Sequence, residues 1–132
     1  MNDRGDSVAG SAFRKEYRLR TPAEYAGVFS ARRVLRGRLF ALHYRFNDSC
    51  HGARLGLVIP KKQARTAVLR NAIKRQAREC FRQRRSQLPA LDLVLRLAQP
   101  ITGHGSAADP AFRAAWRADI DALLDGLREV KP

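Results

Sequence analysis

Cysteine, histidine and long apolar runs are all scarce in this chain of 132 residues. The two cysteines, Cys50 and Cys80, lack the spacing of a zinc-binding motif, so we expect reduced thiols. No run approaches the roughly 18 apolar residues that a transmembrane helix requires. Residues 1–11 are polar, of mixed charge, and without the apolar stretch of a secretory signal. We therefore expect a cytoplasmic protein that does not bind a membrane.

Acidic residues are also few. The chain has 12 Asp and Glu against 26 Lys and Arg, which gives a net charge of +14 and a pI near 11.3. Such a charge repels itself unless a polyanion neutralises it, and nucleic acid is the usual polyanion. An anionic membrane surface is the rarer alternative, and the chain has neither an uninterrupted amphipathic anchor nor a lipidation motif. The composition therefore predicts a nucleic-acid-binding protein.

The shortage of acids also argues against a nuclease active site in the polypeptide. A metal-dependent nuclease needs clustered carboxylates to hold its ions. Between residues 25 and 105 the only acids are Asp48, Glu79 and Asp92, and they belong to separate predicted elements. The three histidines, His43, His51 and His104, are equally scattered. We therefore predict no catalytic residue and no metal site in the protein.

Helical patterns occur at three places in the chain. Thr21-Pro22-Ala23-Glu24 supplies the N-cap, the proline and the glutamate of a capping box, so a first helix is expected to begin there and fade by about residue 33. A second helical pattern follows Thr66 and runs to about Arg85, and Asp109-Pro110 is expected to cap a third helix.

Alternating apolar residues predict strands over 39–46, 54–60 and 91–97. The short connection between the first two strands favours a hairpin. The order helix, strand, strand, helix, strand, helix predicts an α+β fold, a two-layer sandwich with a small mixed sheet. Residues 1–12 are expected to form a flexible tail, followed by a single domain over 13–132.

The second helix has the features of a nucleic-acid-binding surface. Ten of the basic residues lie between Lys61 and Arg85, with Glu79 as the only acid among them. Like charges at a spacing of four residues destabilise a solvated helix, so a ridge of this kind indicates phosphates between its side chains. Apolar residues at Leu69, Ile73, Ala77, Cys80 and Phe81 occupy the adjoining arc, which is expected to dock on the sheet. The residues predicted to contact nucleic acid are Lys61, Lys62, Arg65, Arg70, Asn71, Lys74, Arg75, Arg78 and Arg82.

Strands flank this helix on both sides, which disfavours a DNA-binding helix-turn-helix and favours RNA. Two alternatives stay open at this point. A ribosomal or ribosome-associated RNA-binding protein would share the charge, the size and the style of fold. A DNA-binding regulator would use the same basic helix.

The segment from Arg70 to Arg82, RNAIKRQARECFR, closely resembles the signature helix of bacterial ribonuclease P proteins. The preceding segment over 54–62, RLGLVIPKK, is similar to the strand and paired lysines of that family, and the resemblance extends over about 13–127. It implies a protein subunit that binds a large catalytic RNA and the 5′ leader of precursor tRNA. The resemblance further implies that the RNA and its Mg²⁺ remove the leader, that the protein binds no cofactor, and that no protein partner is obligatory. It also implies a left-handed βαβ crossover, where general rules favour the right-handed one.

By the same resemblance, Tyr25, Phe29 and His43 lie in a cleft for the leader, together with Asn71, Arg75 and Arg78 of the basic helix. Tyr25 and Phe29 could equally be core anchors of the first helix. Two positions depart from the family pattern. Ala72 replaces a usual arginine, for which Arg65, Arg84 and Arg85 are candidate substitutes, and His43 replaces a frequent tyrosine.

Overall fold

The computed structural model describes residues 17–48, 52–101 and 110–131. The predicted tail over 1–12 lies outside these ranges, as do Cys50, His51 and His104. The helices and strands are α1 (Pro22–Ser30), β1 (Arg33–Arg36), β2 (Phe40–Phe46), β3 (Arg54–Val58), α2 (Ala67–Arg84), β4 (Leu91–Leu97) and α3 (Pro110–Gly126).

The four strands form one mixed sheet in the order β1-β2-β4-β3. β2 pairs antiparallel with both β1 and β4, and β3 pairs parallel with β4. The α+β class and the mixed sheet are therefore confirmed. Helix α2 connects the two parallel strands, which makes a βαβ unit, and the left-handed sense of this crossover stays a prediction.

The predicted hairpin between β2 and β3 is wrong, because β4 lies between these two strands. Six of the seven residues of β4 are buried, which is the pattern of a central strand that is covered on both faces. A central position also satisfies the backbone N–H and C=O groups of β4 on both of its edges. The short β2–β3 connection therefore spans one intervening strand instead of making a tight turn.

The sequence prediction missed the edge strand β1, where the first helix was expected to fade. At the end of helix α1, the backbone N–H of Arg32 donates a hydrogen bond to the carbonyl of Phe29 at 3.1 Å. Arg32 adopts a φ of 56°, the left-handed conformation that commonly ends a helix. The chain then turns directly into β1, which pairs with β2 as the true hairpin of the sheet. Only four residues long, β1 shows too little alternation to be recognised as a strand.

Both faces of the sheet are covered, but unequally. Leu93 and Leu95 of β4 belong to the main core, together with Phe81 of α2 and Trp116 of α3. On the opposite face, Val94 packs with Val28 of α1 and with Leu19. The capping box of α1 is confirmed, since Glu24 N–H donates to Thr21 Oγ1 at 3.2 Å and Thr21 N–H donates to Glu24 Oε1 at 2.9 Å.

Asp119 of α3 holds the turn between β1 and β2. Its carboxylate accepts hydrogen bonds from the backbone N–H groups of Arg38, Leu39 and Phe40 at 2.8, 3.0 and 3.0 Å. A Cβ atom at Gly37 would lie 2.5 Å from Asp119 Oδ1, so only glycine allows this close approach. An aspartate in a helix of mixed charge thus fixes a hairpin that is 79 or more residues away in sequence.

We expect Asp119→Ala to lower the free energy of unfolding by about 2–3 kcal/mol, because three backbone N–H groups lose a charged acceptor. Urea denaturation measures the change. Asp119→Asn should cost less, since its amide oxygen still accepts hydrogen bonds. An alanine variant within about 0.5 kcal/mol of the wild type, the usual range for a neutral surface change, would contradict this role.

Candidate nucleic-acid interface

Helix α2 has the two sides that its sequence predicts. Thr66 caps its first turn, accepting a hydrogen bond from Leu69 N–H at 3.1 Å. Ile73, Ala77, Cys80 and Phe81 are buried against the main core. The remaining face, which is rich in arginine, looks away from the sheet. The buried face therefore fixes the orientation of the basic one.

The predicted nucleic-acid contacts form a surface along α2 and the connection before it. Lys61, Lys62, Arg65, Asn71 and Arg75 are exposed, and Lys74 and Arg78 are half-buried. A shallow depression of about 430 Å³ is lined by Asn71, Arg75, Arg78, Glu79 and Arg82. We call this group of residues, from Lys61 to Arg82, the basic face.

Two of the predicted contact residues have partners within the protein. Arg70 Nη1 donates to the backbone carbonyls of Ala64 at 2.9 Å and Arg65 at 3.2 Å, so this guanidinium holds the start of α2. Arg82 pairs with Glu79 one helical turn away. The hydrogen bond from Arg82 is also the main reason that the pKa of Glu79 is lowered.

Two of the three candidate substitutes for the arginine missing at position 72 are engaged elsewhere. Arg84 forms ion pairs with Asp121 at 2.8 Å and Asp125 at 2.9 Å, both on α3. Arg85 Nε donates to the carbonyl of Ala53 at 3.0 Å, and its guanidinium stacks 3.4 Å over the ring of Tyr17. These side chains hold α2 against its neighbours. Arg65 is exposed and is the remaining candidate of the three.

A second surface lies on the side of the sheet that carries α1. The rings of Phe29 and His43 meet edge to face, with centroids 4.8 Å apart and an interplanar angle of 72°. Phe29 is 37% exposed, whereas its neighbour Val28 is fully buried. Val28 is therefore the core anchor at this end of α1, and Phe29 is available for a ligand. We call Phe29 and His43 the ring pair.

The surroundings of His43 favour the neutral form of its imidazole. Burial lowers the pKa of its imidazole below the usual 6.5, and the positive charges of Arg96 and Arg36 lower it further. Arg96 Nε donates to His43 Nε2 at 3.4 Å, which occupies the lone pair of that nitrogen. A neutral imidazole beside an exposed phenyl ring offers a π-face for stacking instead of a further charge.

Tyr25 links the two surfaces. Its ring lies over Gly56 of β3, where an added Cβ atom would be 2.6 Å from Tyr25 Cζ, and its hydroxyl accepts a hydrogen bond from Leu57 N–H at 3.3 Å. A cavity of about 170 Å³ beside it is lined by Tyr25 together with Lys74 and Arg78 of the basic face. Because Arg78 also lines the depression on α2, the cavity and the basic face are continuous. Burial, followed by the charge of Arg18, lowers the pKa of Arg78.

Residues 13–117 match the family described as Ribonuclease P. This chain belongs to the ribonuclease P protein family. It is 49% identical over 119 residues to the ribonuclease P protein component of Azoarcus sp. strain BH72, an alignment that covers 90% of this chain and 92% of the relative. It is 44% identical over 117 residues to that of Aromatoleum aromaticum, covering 89% and 92%.

Solved structures of ribonuclease P proteins have the same fold. The Staphylococcus aureus protein is similar with a TM-score of 0.68 and 26% identity, covering 83% of this chain and 93% of that one. The Thermotoga maritima protein, at 23% identity, matches in fold with a TM-score of 0.64 over 87% and 98% of the two chains. The chain is therefore a protein component of ribonuclease P, which works with an RNA subunit, and the ribosomal and DNA-regulator alternatives are set aside.

The sequence prediction missed a buried acid beside α1 in this ribonuclease P protein. Asp92 of β4 is 0% exposed. Its carboxylate accepts hydrogen bonds from Arg54 at 2.9 and 3.0 Å, Asn47 at 2.7 Å and Arg45 at 3.3 and 3.4 Å. The signal was present in the sequence as the single acid of a strand whose other residues, except Arg96, are apolar. It could not be interpreted without knowing which strands lie beside β4.

The same arginines connect this buried acid to α1. Arg54 Nη1 donates to Glu24 Oε2 at 2.9 Å, so one guanidinium joins the helix cap to Asp92. Backbone N–H groups of Arg20 and then Thr21 lower the pKa of Glu24 to about 2, with a further contribution from Arg54. The hydrogen bond to Asp92 raises the pKa of Arg54. These contacts fasten α1, and with it the ring pair, to the sheet.

The three acids of the central region that the sequence prediction weighed as metal ligands have different surroundings, although Asp48 and Asp92 line one depression together with Arg45 and Arg54. Asp92 is surrounded by arginines, Glu79 pairs with Arg82, and Asp48 is exposed. Within residues 17–48, 52–101 and 110–131, no three His, Cys, Asp or Glu side chains come together as a metal site would require. No helix among these residues is long and apolar enough to cross a membrane.

Proposed function

We propose that this protein binds the catalytic RNA of ribonuclease P through the basic face and holds the 5′ leader of precursor tRNA at the ring pair. The RNA and its bound Mg²⁺ then cleave the leader from the tRNA. The protein contributes positioning and charge neutralisation, without a cofactor or an obligatory protein partner. Its site of action would be the cytoplasm.

The charge pattern of α2 supports RNA binding by the basic face. Lys61, Lys62, Arg65 and Arg75 are exposed cations, and within the described ranges none of them forms an ion pair with a carboxylate. Arginine binds phosphate in a bidentate manner, and release of counterions from RNA favours such contacts. One side of helix α2 is buried in the core, which fixes the orientation of the basic face.

The exposed ring of Phe29, edge to face with His43, is the observation that carries the leader-binding proposal. Stacking of bases on aromatic rings tolerates any sequence, which suits a protein that must accept many different leaders. Tyr25 is one helical turn from Phe29 on α1 and lines a cavity together with Arg78. Arg78 also lines the depression that contains Asn71 and Arg75. A strand that leaves the ring pair can therefore reach phosphate-binding side chains on α2.

We expect Phe29→Ala to weaken the binding of precursor tRNA by about 1–3 kcal/mol, the contribution of one stacked base. The measurement is the dissociation constant of the holoenzyme, reconstituted from this chain and a bacterial catalytic RNA, for precursor and for mature tRNA. Mature tRNA carries no leader, so its binding should not change. Phe29→Trp, which keeps a ring for stacking, is the matched control and should retain precursor binding.

Equal losses for precursor and mature tRNA would contradict leader binding at Phe29. A broader test of the function is cleavage at low Mg²⁺, where the protein should stimulate leader removal by the RNA. No stimulation by the wild-type chain would overturn the proposed function itself.

A further inference from the structure

Two arginines flank the ring pair on the open side of the sheet. Arg36 of β1 pairs across the sheet with Ala41 of β2, and Ala41 pairs with Arg96 of β4. The three residues thus form one row, and the next row on the same face contains His43. The row with the arginines lies about 7 Å from the row with His43, two residues along a strand.

Arg36 and Arg96 both interact with His43. Arg96 Nε is 3.4 Å from His43 Nε2, and the charge of Arg36 acts on the same imidazole. The backbones of β1 and β4 are about 10 Å apart, a gap that two arginine side chains can close by converging on one ligand. Between them in the row is the small side chain of Ala41, which is 1% exposed.

Neither of these arginines has a carboxylate partner in the ranges that the structure describes. Arg36 is exposed and Arg96 is half-buried. By contrast, Arg45 and Arg54 on the same face both pair with Asp92. Two neighbouring cations without a counter-ion repel each other, and an anionic ligand between them would remove that repulsion.

We propose that Arg36 and Arg96 form a phosphate clamp for the leader, next to the base that stacks on the ring pair. This inference rests on the proposed leader binding and extends it by a backbone contact one row of the sheet away from His43. The ring pair and the clamp hold a base and an adjacent phosphate at the same time. A leader would therefore be held by its backbone at the basic face and at the clamp, and by a base that stacks on the ring pair. Both modes of contact are independent of base identity.

The test compares the double variant Arg36→Gln, Arg96→Gln with the control double variant Arg38→Gln, Arg128→Gln. Both variants lose two positive charges, and Arg38 and Arg128 are exposed. The holoenzyme with each variant is titrated with three tRNAs. The first is a precursor with a long leader, the second is a precursor with a leader too short to pass the ring pair, and the third is mature tRNA without a leader. We expect the clamp variant to bind the long-leader precursor roughly tenfold more weakly, with a smaller salt dependence. The short-leader and leaderless tRNAs should bind as before.

The single variant Arg96→Lys keeps both positive charges and should retain most of the binding to the long-leader precursor. This result would show that the double variant binds weakly because it lacks the charges, and not because it fails to fold. Equal weakening for all three tRNAs, or an effect no larger than that of the control variant, would overturn the clamp while leaving the leader-binding proposal intact. A wild-type holoenzyme that does not distinguish precursor from mature tRNA would overturn both proposals.

Discussion

Replacing Asp92 by alanine is expected to lower the free energy of unfolding by about 3–5 kcal/mol, because the arginines around it would lose their buried counter-ion. The carboxylate is 0% exposed and accepts hydrogen bonds from Arg45, Asn47 and Arg54. A domain of this size has a total stability of only about 5–15 kcal/mol, so the variant would be partly unfolded at moderate temperature. Urea denaturation followed by circular dichroism measures the loss.

Asp125→Ala is the matched control for this prediction. Asp125 also pairs with an arginine, Arg84 at 2.9 Å, but its side chain is 49% exposed and Asp121 keeps a second ion pair with the same arginine. An exposed ion pair contributes about 0–1 kcal/mol. Similar losses for the two alanine variants would show that the burial of Asp92 has no special energetic role.

The Asp92 network also bears on function, since it fastens α1 to the sheet. Arg54 bridges Asp92 and Glu24, and Arg45 crosses α1 at Gly27, where an added Cβ atom would lie 2.1 Å from Arg45 Nη1. Helix α1 carries Phe29. A destabilised Asp92 variant should therefore lose precursor binding before it loses binding to the catalytic RNA, which depends on α2.

The triple variant Arg65→Ala, Lys74→Ala, Arg75→Ala is expected to weaken binding to the catalytic RNA by roughly tenfold or more. It should also reduce the slope of log affinity against log salt by up to about one counterion per lost phosphate contact. These residues lie on the basic face without an ion pair in the described parts of the chain. Filter binding or fluorescence titration at several salt concentrations gives both quantities.

Arg70 is left out of this variant because its guanidinium bonds the carbonyls of Ala64 and Arg65, so its loss would disturb the start of α2 as well as the charge. The control is Arg38→Ala, Arg128→Ala, Lys131→Ala, which removes the same number of charges from exposed positions away from α2. If the slope of log affinity against log salt were the same for the two triple variants, RNA binding would depend on the net charge of the protein and not on the basic face.

Much of the local structure was predictable, because its causes are local. The capping box at Thr21 and Glu24 depends on residues three apart, and the two sides of α2 follow from helical periodicity. The bounds of β2 and β4 followed from alternation and were predicted to within one residue. The basic face was predictable for the same reason, since most of its residues belong to one helix.

The candidate leader site was only partly predictable. Resemblance to the family indicated Tyr25, Phe29 and His43, but the sequence left open whether Tyr25 and Phe29 are instead core anchors of the first helix. That choice depends on how α1 is rotated over the sheet, which places Val28 against Val94 and turns Phe29 outward. Arg36 and Arg96 were not indicated at all, because they lie on β1 and β4, two strands that are distant from each other in the sequence.

The sequence by itself determined the charge of this protein, the helices and longer strands, and the orientation of the basic residues around α2. Each of these depends on composition or on residues a few positions apart. Only the tertiary structure decided that β4 lies between β2 and β3 and that Asp92 accepts hydrogen bonds from two arginines. It also decided that Arg70 and Arg84 make contacts that stabilise the fold. These outcomes depend on pairing between distant segments, where backbone hydrogen bonding and the burial of charge are satisfied only by the whole sheet.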